Sequence, residues 1–160
     1  MRFGTVLLVS VVVMVAGTRT LAQLRPDFSG TWEYVSTSPA GAFDTNAPEL
    51  VIAQDNSRLI VTEAGGDTFA YAIDGSESRN ETRSVTGERW AHVSTARWVS
   101  SAFVVTTATT RESIGRPWDH MRMYFLDPVT RDLKIAKLDA VLSPGPVMSL
   151  RTATYRRPSP

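Results

Sequence analysis

From Gly30 to Arg156 the chain is a succession of short runs rich in Thr, Val and aromatic residues, cut by turn residues, with no stretch of helical periodicity. Such runs suit a pleated, half-buried surface. Strands are predicted over 30–36, 49–54, 58–63, 68–73, 80–86, 90–99, 102–111, 120–126, 133–138 and 147–156. The turns between them are explicit: Asp55-Asn56-Ser57, Gly65-Gly66, Asp74-Gly75, Ser100-Ser101, Gly115-Arg116-Pro117 and the Pro128 turn. Asp74-Gly75 is the strongest of these, because both residues tolerate positive φ. Short links force sequential strands to pair antiparallel, and eight or more of them do not stay flat and open. The expected fold is all-β, an antiparallel up-and-down barrel of 8–10 strands, with a two-layer β-sandwich as the alternative. A barrel removes exposed sheet edges.

The N-terminus reads as an export signal. Arg2 gives the positive start, residues 6–16 are apolar apart from Ser10, and Thr20-Leu21-Ala22 offers small residues for cleavage. The expectation is a signal peptide over 1–22 and a single domain over 23–160, periplasmic or secreted. The apolar run is short for a bilayer, which takes about 20 residues, so no membrane span is expected after cleavage. The chain has no Cys, so the exported domain must rely on packing and hydrogen bonds. Without Arg2 and Arg19, 15 basic residues face 16 acidic ones, a formal charge of −1. That balance gives no basic stripe for nucleic acid.

The first strand opens with Asp27-Phe28-Ser29-Gly30-Thr31-Trp32. Its Gly-x-Trp resembles the signature of lipocalins and the wider calycin group, and the whole opening resembles small exported bacterial proteins of unassigned activity. The resemblance implies a barrel whose base is closed by Trp32, with a cation from the last strand across the indole; Arg156 and Arg157 stand in that place. The Thr-Asp-Tyr motif and the helix before the last strand, both lipocalin features, are missing from the sequence.

Alternation assigns inner faces. Gly30, Trp32 and Tyr34 share one side of the first strand. Phe69, Tyr71 and Ile73 share another, as do Phe103 and Val105, and Trp90, His92, Ala96 and Trp98. On 120–126 the apolar side is Met121, Met123 and Phe125. Trp32, Tyr34, Tyr71, Trp98 and Met123 are therefore the expected lining or closure of a cavity, with a filled core as the alternative. Arg97 and Arg122 are candidate anion contacts, since Arg grips carboxylates bidentately; alternation turns both away from the apolar side.

His92 and His120 do not make a metal site at this spacing, because Asp119 and His120 point to opposite faces and no Cys or nearby His completes a ligand set. No nucleophile elbow, zinc-protease motif or phosphate loop is present. The sequence thus points to an exported barrel that holds a small hydrophobic molecule non-covalently, without cofactor or catalysis. The alternative is a protein-interaction or inhibitor module of the cell envelope acting through loop 36–48.

Overall fold

A computed structural model describes residues 25–39, 46–143 and 145–159, and the side chains of these except over 140–148. The expected signal segment 1–22 lies outside the described residues, as do 40–45 of loop 36–48. Among the described residues ten strands follow one another: β1 (Gly30–Ser38), β2 (Glu49–Gln54), β3 (Arg58–Glu63), β4 (Thr68–Ala72), β5 (Glu77–Arg83), β6 (Arg89–Val99), β7 (Ala102–Arg111), β8 (Pro117–Leu126), β9 (Leu133–Ser143) and β10 (Gly145–Arg156). They form one antiparallel sheet in the order β4-β3-β2-β1-β10-β9-β8-β7-β6-β5. The sheet curls into a nearly closed up-and-down barrel, as the short links require, and the two-layer alternative is not adopted.

The seam between β4 and β5 is fastened by side chains. The Ala70 amide donates to Asn80 Oδ1 at 2.8 Å, Asn80 Nδ2 donates to the Ala70 carbonyl at 3.1 Å, and the Ala72 amide donates to Ser78 Oγ at 2.9 Å. Asn80 thus imitates a peptide group and occupies the β4 edge, which would otherwise present bare donors and acceptors. This explains why β5 covers Glu77–Arg83, starting just after the Asp74-Gly75 turn, rather than 80–86. Asn80→Ala removes two of these bonds and is expected to cost about 1–3 kcal/mol. Amide exchange at Ala70 and Ala72 should accelerate before exchange in β2 and β3; unchanged exchange at Ala70 would contradict the seam.

The end of the barrel where β1 starts is packed solid. Phe28, Trp32, Leu59, Phe103, Leu133 and Tyr155 are each no more than 1% exposed there. Phe28 is the stopper. Its amide donates to Gln54 Oε1 at 3.1 Å, Gln54 Nε2 donates to the Pro26 carbonyl at 3.0 Å, and its ring stacks on Trp98 at 5.6 Å. Trp32 Nε1 donates to the Phe28 carbonyl at 2.8 Å, so the indole buries no orphaned polar atom.

The Gly-x-Trp opening now has a physical reason. Arg157 lies over the Trp32 ring at 4.6 Å and donates to the Ser29 carbonyl at 2.9 Å. A Cβ on Gly30 would sit 2.7 Å from Arg157 Nη1, and Gly30 has φ of +127°. Glycine both adopts that backbone and clears the guanidinium's path. Of the two expected cations, only Arg157 covers the indole. Arg156 alternates outward and makes a bidentate pair with Asp132, both bonds 3.0 Å.

Candidate functional site

The opposite end is built from different chemistry. Here the inner wall carries Trp90 and His92 of β6, Thr109 and Arg111 of β7, Trp118, His120 and Arg122 of β8, and Lys137 and Asp139 of β9, around a cavity of about 380 Å³. These four strands are sequential neighbours, so period-2 alternation puts the residues on one concave face. The register lines them up in rows: Thr109 opposite Trp118, and His120 opposite Asp139.

Arg122 sits deepest. It pairs with Glu63 across the barrel at 3.2 Å, and its guanidinium lies 5.5 Å from the centre of the Phe69 ring. Both partners are mostly buried, with side-chain exposures of 20% and 25%. Desolvation works against the Arg122 charge, but Tyr124, Tyr71 and Glu63 around it outweigh that and keep it protonated. Burial pushes the Tyr71 and Tyr124 phenols up. The buried Tyr124 hydroxyl has no hydrogen-bond partner of good geometry among the described residues.

At the rim, Arg111 lies 4.2 Å from the Trp90 ring centre and 5.2 Å from that of Trp118, and the two indoles meet edge to face at 5.9 Å. Each such contact is worth about 0.5–2 kcal/mol, which holds the cation at the rim without neutralising it. Arg111 Nε is buried with no hydrogen-bond partner among the described residues. Lys137 donates to Asn46, whose Nδ2 donates to Thr37 Oγ1 at 2.7 Å, and Thr37 shares a 2.9 Å bond with the Tyr34 hydroxyl. The described end of loop 36–48 is thereby tied to the cavity wall.

The two histidines stand on this wall within a hydroxyl chain. His92 Nε2 meets Thr82 Oγ1 at 3.0 Å, His92 Nδ1 meets Thr109 Oγ1 at 2.9 Å, and Thr109 Oγ1 meets His120 Nδ1 at 3.5 Å. Burial, and then the nearby Arg122, lower both imidazoles; His120 is pushed down to about 4. Both are therefore neutral at pH 7.

The expected lining residues do not gather in one place. Trp32 and Trp98 belong to the packed end, where Trp98 contacts Phe28 and Phe103. Tyr71 is buried beside Phe69, and Tyr34 packs edge-on against Tyr155. Met123 is a correction: it alternates with the fully buried Tyr124 and lies on the outer face, opposite Val104 and Ala136. The inner residues of β8 are His120, Arg122 and Tyr124, so Arg122 faces inward, contrary to the expectation that alternation turned it away. Arg97 is exposed on the outer face, beside a separate groove of about 420 Å³ lined also by Gly75, Thr95, Val104 and Thr106. Arg111, Trp118, Lys137, Asp139 and Glu63 were not anticipated. A legible signal existed for β8, where Trp118, His120, Arg122 and Tyr124 recur at every second position.

No protein-family model matches the chain, and no curated protein matches it either.

Proposed function

We propose that this is an exported binding barrel that holds a small organic anion non-covalently in its open end, with the packed end acting as a fixed floor. The observation that carries the reading is the cavity wall itself. Three cations, Arg111, Arg122 and Lys137, converge there with two indoles, against the carboxylates of Asp139 and Glu63. A cavity of about 380 Å³ lies within the size range of small-molecule sites, roughly 300–1,000 Å³. A purely hydrophobic ligand would strip water from these charged groups without offering them a hydrogen bond, at a cost of several kcal/mol. A carboxylate on a flat apolar body fits better. The carboxylate accepts from guanidinium N–H groups, and the body lies against Trp90 and Trp118.

The probes are 2-naphthoate and its neutral isostere 2-naphthamide, titrated by calorimetry. The acid is expected to bind at least about ten-fold more tightly, the worth of roughly one charge-assisted hydrogen bond. In the double variant E63M/R122M, which keeps Arg111 and Lys137, that preference should shrink. Absence of saturable binding by either probe would overturn the reading.

A further inference from the structure

The Thr82–His92–Thr109–His120 chain has two self-consistent arrangements of its protons, because each neutral imidazole has one donor and one acceptor nitrogen and each hydroxyl donates once. In the first, Thr82 donates to His92 Nε2, His92 Nδ1 donates to Thr109, and Thr109 donates to His120 Nδ1. His120 then carries its proton on Nε2. In the second, every bond is reversed and Nε2 of His120 is a bare lone pair. The contacts that define both are already in place, at 3.0, 2.9 and 3.5 Å. The His120 ring lines the cavity, and Nδ1 is the nitrogen engaged with Thr109. Its Nε2 is the nitrogen whose character a ligand can select.

The geometry points to His120 as the residue that discriminates the ligand's charge, by taking up a proton on Nε2 as the anion enters. This rests on the anion-binding reading above. In the second arrangement the lone pair accepts the incoming proton, while Nδ1–H stays on Thr109 and the rest of the chain is undisturbed. No bond rearrangement is needed beyond that one N–H, and solvent supplies the proton. The charged groups around His120 decide the direction. From its own strand Arg122 opposes protonation, with Asp119 on the outer face helping weakly. From β9 Asp139 favours it, and from β6 His92 opposes it when it carries its own proton. Arg111 of β7 and Lys137 of β9 share the cavity and add positive field; Glu63 of β3 and Asp67 beyond it favour protonation of the adjacent His92.

In the empty barrel, burial and Arg122 therefore hold His120 near 4. An anion seated between Arg122 and His120 cancels the Arg122 field and accepts from Nε2–H, so the bound-state value rises. The sign follows from linkage: a ligand that raises a group's pKa binds more tightly as pH falls through the raised value. If the bound value returns to the ordinary histidine value of about 6.5, affinity increases roughly ten-fold from pH 7.5 to pH 5.5.

The experiment is calorimetric titration of the whole protein with 2-naphthoate, at several pH values between 5.5 and 7.5. At each pH it is repeated in two buffers of different ionisation enthalpy, which gives the number of protons taken up. Uptake should approach one proton at pH 5.5 and fall towards zero at pH 7.5, with the roughly ten-fold change in affinity. His120→Gln should abolish the uptake and flatten the pH dependence. Thr109→Val, which cuts the chain but keeps the imidazole, should retain the uptake. Naphthoate binding without proton uptake in the wild type would overturn the proposal while leaving the anion reading intact. So would uptake that persists in His120→Gln. Failure of naphthoate to bind at any pH would remove both.

Discussion

Trp32→Ala is expected to lower the unfolding free energy by about 3–5 kcal/mol, the range for truncating a large buried aromatic. Three losses combine. The indole is 1% exposed, so its removal opens a void in the packed end. Its Nε1 bond to the Phe28 carbonyl goes, leaving that acceptor buried. Arg157 also loses the ring beneath it at 4.6 Å. Phe28 is held by Gln54 as well as by Trp32, so the stopper should loosen rather than leave. Urea unfolding of the two proteins checks the size of the effect. A loss below about 1 kcal/mol would mean that Trp32 is replaceable filler and that the floor is held by other contacts.

The second large effect is the cross-barrel ion pair. Glu63→Met alone leaves Arg122 charged on a wall where only a fifth of its side chain is exposed. Breaking a buried pair from one side typically costs about 3–5 kcal/mol, and access through the open end puts this case at the lower limit. Arg122→Met alone strands Glu63 in the same way. The double variant E63M/R122M replaces both charges with flexible apolar side chains and should be more stable than either single change. A coupling energy of about 2 kcal/mol or more is expected from the cycle. Additive effects of the two changes would show that the 3.2 Å contact contributes nothing to folding. If the double variant keeps the fold, it separates the role of Arg122 in stability from the anion contact proposed for it.

The floor of this barrel was largely legible in the sequence and the open end was not, for one physical reason. Alternation identifies an inner face only where that face is apolar. On β1 it finds Trp32 and Tyr34, and on β4 Phe69 and Tyr71, because the opposing positions are polar or small apart from Val35. On β8 the rule inverts. The inner positions are His120, Arg122 and Tyr124, while Met121, Met123 and Phe125 form the outer face. Reading the apolar side as the inside therefore selected Met123 and turned Arg122 outward. The pairing of Trp90 with His92 on one face was read correctly, because aromatic residues mark an inner wall even where its other members are polar. Arg111 and Lys137 stand on the inner side of their own strands, in line with Phe103 and Val105 on β7 and with Leu133 and Ile135 on β9, but a charged residue near a strand's end does not mark that side as inner. The seam was similarly hidden. Asn80 and Ser78 look like surface residues of a weak strand until β4 is placed beside them.

The division of labour between the two ends is tested most directly by the four indole N–H signals in a nitrogen–proton NMR titration with 2-naphthoate. Trp90 and Trp118 should shift together and saturate, while Trp32, buried at the opposite end and bonded to Phe28, stays in place. Shifts confined to Trp32 and Trp98, with Trp90 and Trp118 unmoved, would contradict the account, because the ligand would then occupy the end assigned here as a closed floor.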